Sequence, residues 1–170
     1  YDGKLLAYSE QYIEQQAVAG TLEVDENGNF TYQDNRSACF GSCEVTAGNF
    51  SGTFSAPDAK NAAVLRAKCI AEAQLRAPGL PASGDRVTLM SNSNAEAARF
   101  AKGLLRNANK YGHTGQFSKA LLTGYAAASL LQLKTEKASA WNGPVFVYKV
   151  RHDFVGNKST LYFRDLLEGY

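Results

Sequence analysis

The sequence predicts an α+β chain of about four helices, including an alanine-rich antiparallel pair, with two β-hairpins. Three observations carry that expectation. Apolar residues recur at three- and four-residue spacing over several long stretches. Serine stands three residues before an acid at Ser55/Asp58 and at Ser93/Glu96, the spacing of a capping box. Two pairs of short runs alternate apolar and polar residues around turn-forming residues.

Taken in order, residues 2–17 place Leu5, Tyr8, Tyr12 and Ile13 on one helical face, and Gly20 stops the helix. Thr21–Val24 and Asn29–Tyr32 flank Asp25-Glu26-Asn27-Gly28, which reads as a hairpin around Asn-Gly. Val45 to Phe54 is punctuated by glycine and reads as one or two short strands. A second helix is expected over residues 57–76, with Ala62, Leu65, Cys69, Ile70 and Ala73 on its apolar face. Ala77-Pro78-Gly79-Leu80-Pro81 ends it. Arg86 to Met90 reads as a short strand. Helices over 94–110 and 115–134 follow, rich in alanine and expected to pack against each other closely. Val145–Val150 and Ser159–Phe163 form the second hairpin, and Asp165–Tyr170 is too short to hold a shape of its own.

At 170 residues and 45% hydrophobic content, a single domain over 1–170 is expected, with an internal boundary placed near 77–85. A formal net charge of +2, with Lys and Arg dispersed, argues against a nucleic-acid surface. No run is long and apolar enough to span a membrane as a helix. The chain begins at Tyr1 and not Met, which implies a removed leader or a missing segment.

Catalytic signals are absent. The two histidines, His113 and His152, are expected to cap or pack, and no nucleophile elbow, Walker loop or dinucleotide fingerprint occurs. No enzyme is expected. Chemistry-bearing residues instead concentrate between Asp34 and Arg76, where Cys39, Cys43 and Cys69 stand among Arg36, Phe40, Arg66 and Lys68. The spacing lacks the pairing of a zinc site. Three readings stay open for the cysteines: small buried hydrophobes, one disulfide (Cys43–Cys69 or Cys39–Cys43) with a thiol left over, or anchors for a covalent prosthetic group. A linear tetrapyrrole needs a thiolate for its thioether, cations for its propionates and aromatic walls.

The turn Leu6–Glu14, the Gly41-Ser42-Cys43 element and the alanine-rich helices broken by single cysteines resemble the γ-type linker subunits of red-algal phycobilisomes. That resemblance implies a non-catalytic linker and antenna subunit in light harvesting, in the chloroplast on the stromal face of the thylakoid. It further implies phycobiliprotein α/β hexamers as partners. A phycobilin would sit on Cys39, Cys43 or Cys69, with Arg36 and Arg66 as the cations. The alternative is a secreted, glycosylated binding or inhibitor domain with one disulfide. Asn29, Asn35, Asn49 and Asn157 each satisfy the N-glycosylation pattern. Gln16–Gly20 matches the Q-x-V-x-G loop of cystatin inhibitors, but the surrounding order of elements does not.

Overall fold

The computed structural model describes residues 7–57, 59–68, 91–120, 122–136 and 138–170. In chain order the first half carries α1 (Glu10–Glu14), β1 (Gly20–Val24), β2 (Asn29–Asp34), β3 (Ser42–Ala47), β4 (Phe50–Ser55) and β5 (Val64–Lys68). The second half carries α2 (Asn94–Asn109), β6 (His113–Ala120), β7 (Ser129–Thr135), β8 (Gly143–Asp153) and β9 (Lys158–Asp165). The expectation of four helices and two hairpins is therefore corrected. The described residues are mainly strand, in two sheets, with two α-helices. They divide into two compact units, Tyr1–Asp34 with His113–Leu167, and Asn35–Gly112 with Glu168–Tyr170. The boundary expected near 77–85 lies outside the described residues.

The first unit is one mixed sheet in the order β1-β7-β8-β9-β6-β2. The Asn-Gly segment does not close a hairpin. β1 runs parallel to β7, β2 runs antiparallel to β6, and the two stand at opposite edges. Six strands laid flat would set those edges about 24 Å apart, at five spacings of about 4.8 Å. The link of four residues between Val24 and Asn29 reaches at most about 18 Å. The sheet must curl. Its concave side holds Leu22, Val24, Phe117, Leu131, Leu133, Val145, Val147, Leu161 and Phe163, taken from alternate positions of five strands, and Trp141 beside them. The expected pairing of Val145–Val150 with Ser159–Phe163 is present within β8 and β9.

On the convex side, Leu130, Phe146 and Arg164 are cross-strand neighbours in one row, and all three are buried. α1 covers this part of the sheet. Its start is fixed by the Ser9 hydroxyl, which accepts from the Tyr12 amide at 3.1 Å. The helix expected over 2–17 is thus one short element among the described residues.

The helix expected over 115–134 is β6, a loop and β7. Tertiary packing overrides the alanine content here. Gly115 lets β6 pass under the Phe163 ring, where a Cβ would meet Cε2 at 2.4 Å, and the Ala126–Ala128 run lies in the loop.

In the second unit, β3 and β4 form a hairpin closed by Gly48-Asn49, with Gly48 at φ +60°. β5 pairs parallel to β3, so residues 64–68 of the expected helix are strand. Asn61 dictates the local path. Its amide donates to the carbonyls of Ser37 (2.7 Å) and Cys39 (2.5 Å), and its side-chain oxygen accepts from the Ala63 amide. Asp58, Cys69 and residues 70–76 lie outside the described residues.

α2 keeps its expected limits and cap, with Ser93 Oγ accepting from the Glu96 amide at 3.1 Å. Residues 115–134, expected to be its helical partner, are strand and loop among the described residues. Ala97, Ala101 and Leu105 are buried against β3 and β4, and Gly52 of β4 comes so close that a Cβ there would lie 2.1 Å from the Ala98 nitrogen. Tyr170, at the segment expected to lack shape, is buried beside Phe54 and its hydroxyl accepts from Asn109.

Two outcomes follow from this packing. Gly52→Val forces backbone apart, so the unit loses about 1–3 kcal/mol and its urea midpoint falls. An unchanged midpoint contradicts the close approach. Asp25 is hydrogen-bonded and ion-paired to Lys119, which holds its carboxyl below the usual value, against a smaller opposing effect of burial. Its folded pKa is below the unfolded one, so its contribution is complete above pH about 4 and fades as pH falls through the folded value. Lys119→Met flattens that acid limb in a pH–stability profile, and an unaltered limb speaks against the tie.

Candidate functional site

Two of the three cysteines, Cys39 and Cys43, are among the described residues. Cys43 lies in β3 and is 0% exposed, opposite Phe54 on one neighbour and Leu65 on the other. Any bulky thioether on that sulfur would have to displace the sheet. Cys39 is half-buried after the 3-10 turn Arg36–Ala38, with Sγ 3.8 Å from the Asn35 carbonyl oxygen and 3.9 Å from that of Asn109. Gly112 closes over it, for a Cβ there would stand 2.4 Å from the sulfur. Arg36 is half-buried in the turn itself. Arg66 is exposed on β5 and pairs with Glu44 at 3.0 Å, in register across the strands. Alternation puts Glu44 and Arg66 on the face opposite Cys43. A surface pair of this kind is worth at most about 1 kcal/mol. Cys69 lies outside the described residues.

One histidine is buried and the other is exposed. His113 is buried, stacks on Trp141 with centroids 3.9 Å apart, and sets Nδ1 2.5 Å from Asp165 Oδ2. Trp141 makes edge contact with Phe163 at 5.4 Å and Phe30 at 6.4 Å, so the network closes one side of the core. His152 Nδ1 lies 2.8 Å from Ser159 Oγ. That hydroxyl also accepts from the Leu122 amide at 2.8 Å, which occupies it structurally.

Among the described residues, Arg164 is the largest fully buried side chain. Its guanidinium meets Glu14 at 2.6 Å and Glu10 at 3.1 Å, both from α1, and stacks 4.4 Å from the Phe146 ring. A buried guanidinium is tolerable only with such partners. No local pattern marks it, because an arginine at an alternate strand position ordinarily faces water.

Among the described residues, the most exposed large apolar side chains stand together at the tip of the β8–β9 hairpin. Phe154 is 75% exposed and Val155 101%. The turn presenting them is built, with Asp153 Oδ1 accepting from the Gly156 amide at 2.9 Å and Asn157 at φ +47°. Exposed Lys149, Arg151 and Lys158 flank it. Among the described residues, β7 pairs with β8 only as far as Val147, so the distal part of β8 is an open edge. The hairpin end thus combines an apolar tip, basic neighbours and, among the described residues, an unpaired edge.

No protein-family model and no curated protein matches this sequence. Solved structures do. The 43 kDa tail protein of prophage MuSo2 from Shewanella oneidensis is similar over 88% of this chain, at TM-score 0.59 and 9% identity. A tail protein from Neisseria meningitidis is similar over 88% at TM-score 0.58 and 9% identity. A chain from the virion of a native gene transfer agent particle covers the same share at TM-score 0.50 and 12% identity. This chain spans 43%, 45% and 32% of those chains respectively. What is shared is the fold. The resemblance to phycobilisome linkers is thereby overturned, and the light-harvesting role and thylakoid location that rested on it fall with it. The secreted inhibitor reading gains no support either. No helix among the described residues is long and apolar enough to cross a membrane.

The clamp between α1 and the sheet yields one outcome. Glu14→Ala leaves Arg164 short of its nearest countercharge and costs about 3–5 kcal/mol, read as a lower unfolding midpoint. The double variant Glu14→Leu/Arg164→Met regains most of the loss. A single variant as stable as the parent contradicts a buried, paired arginine.

Proposed function

We propose that this chain is a non-catalytic structural component of a tail-type multi-subunit particle, seated among other proteins through its projecting hairpin. The observation that carries the reading is the fold likeness to two tail proteins over 88% of the chain at TM-scores of 0.58 and 0.59. The hairpin tip supports it independently. Adjacent Phe and Val side chains, 75% and 101% exposed, are costly in water and are found where a partner removes them from it. The basic rim favours an acidic border on that partner. His113 stacks on Trp141 and the exposed His152 is bonded to a hydroxyl that also holds the Leu122 amide, which suits a scaffold better than a reaction centre.

The test is sedimentation of the tagged chain from its producing cells. It is expected to travel with particles in a fixed ratio to the other particle proteins, and recovery only at the top of the gradient would contradict the proposal. Phe154→Ser/Val155→Ser is expected to lower incorporation about tenfold while leaving the unfolding midpoint unchanged. Normal incorporation of that variant removes the hairpin from the interface.

A further inference from the structure

The convex face of the curled sheet is only partly covered by α1, and the uncovered part is a groove of about 500 Å³. We propose that this groove binds a neutral oligosaccharide. Its lining comes from four adjacent strands: Thr31 and Gln33 of β2, Thr114 and Gln116 of β6, Tyr162 of β9 and Tyr148 of β8. Register places Gln33 beside Thr114, and Thr31, Gln116 and Tyr162 in the next row, so the six side chains form one continuous strip.

Three features select the ligand. No residue of the lining carries a formal charge at neutral pH, and Lys149, the register partner of Tyr162, lies over that ring, so a charged ligand would find no carboxylate and only a lysine already engaged by an aromatic face. Two amides and two hydroxyls offer donors and acceptors together, as a ring of sugar hydroxyls requires. Two tyrosine rings, 6.3 Å apart and inclined at 46°, give a platform for the C–H face of a pyranose. Those C–H groups carry slight positive charge and are drawn to the electron-rich face of an aromatic ring.

The second tyrosine is there because of a specific device. The β8–β9 register shifts between Val147 and Lys149, and Tyr148 is the extra residue. Bulges of this kind re-aim a side chain locally. Here the bulge brings Tyr148 to the lining that alternate positions of β9 and β6 already form. The Lys149 ammonium stands 4.9 Å from the Tyr162 ring centre, which holds the ring in place and leaves its other face for the ligand. The volume falls within the about 300–1,000 Å³ of small-molecule sites.

The experiment titrates the full chain with cellohexaose, chitohexaose and maltohexaose in turn, followed by amide chemical shifts, with heparin as the charged comparison. Saturable binding of at least one neutral probe is expected, with shifts mapping to β2, β6 and β9. Tyr162→Ala and, separately, Gln33→Ala on the exposed edge strand are each expected to weaken it about tenfold. Gln33 is exposed, so its variant keeps the fold if Tyr162→Ala does not. Absence of binding for all three neutral probes overturns the proposal, as does binding that both variants leave intact or binding of heparin alone. Groove variants that lower particle incorporation without altering sugar binding assign the face to a protein neighbour and overturn it equally. Binding is read on the isolated chain, so its failure leaves the structural role in the particle untouched.

Discussion

The four-residue link between β1 and β2 is the constraint on which the first unit depends. It joins opposite edges of a six-stranded sheet that would be too wide for it if flat. Curling is therefore imposed by covalent reach, and the concave core follows from the curl. The link is fitted to its task at both ends. Asp25 is tied to Lys119 of β6, and Gly28 passes so near Phe117 that a Cβ would meet its ring at 2.1 Å. Any larger residue at 28 would have to push a fully buried phenylalanine aside.

Curling also creates the convex face, and the chain uses its two parts differently. Where α1 lies, the row Leu130–Phe146–Arg164 is sealed, and the arginine draws its charge balance from the helix that covers it. Beside it, uncharged polar and aromatic side chains remain open to solvent. The second unit is joined in at a place that suits insertion. The chain leaves the first unit at Asp34 and returns at His113, and these two residues are register partners in adjacent strands. Within that unit, small side chains serve close approach. Alanines on α2 and glycine on β4 bring helix and hairpin backbones into contact.

The sequence carried local signals faithfully and long-range pairing poorly. Ser93 and Glu96 marked the start of α2, and β-branched and aromatic residues marked β8 and β9, because caps and alternation are local. Asn27-Gly28 misled, since an Asn-Gly link between alternating runs is the same string whether the strands pair or part to opposite edges. Alanine content misled over residues 115–134, where the competing strand pattern of Gln116-Phe117-Ser118 prevailed once β2 and β9 stood on either side. The three cysteines drew notice as reactive types, yet Cys43 is core and Cys39 is wedged under Gly112. Phe154 and Val155 were legible only as hairpin residues. Their exposure depends on where β7 stops pairing, which no local pattern encodes.

The central claim, that β1 and β2 are opposite edges of one curled sheet, is tested most directly by amide and α-proton nuclear Overhauser effects in solution. Contacts are expected between β1 and β7 around Leu22 and Leu133, and between β2 and β6 around Thr31 and Gln116. A ladder of cross-strand contacts running directly from Leu22 to Thr31 would mean a simple hairpin, and would contradict the closed architecture from which the core, the covered row and the open groove all follow.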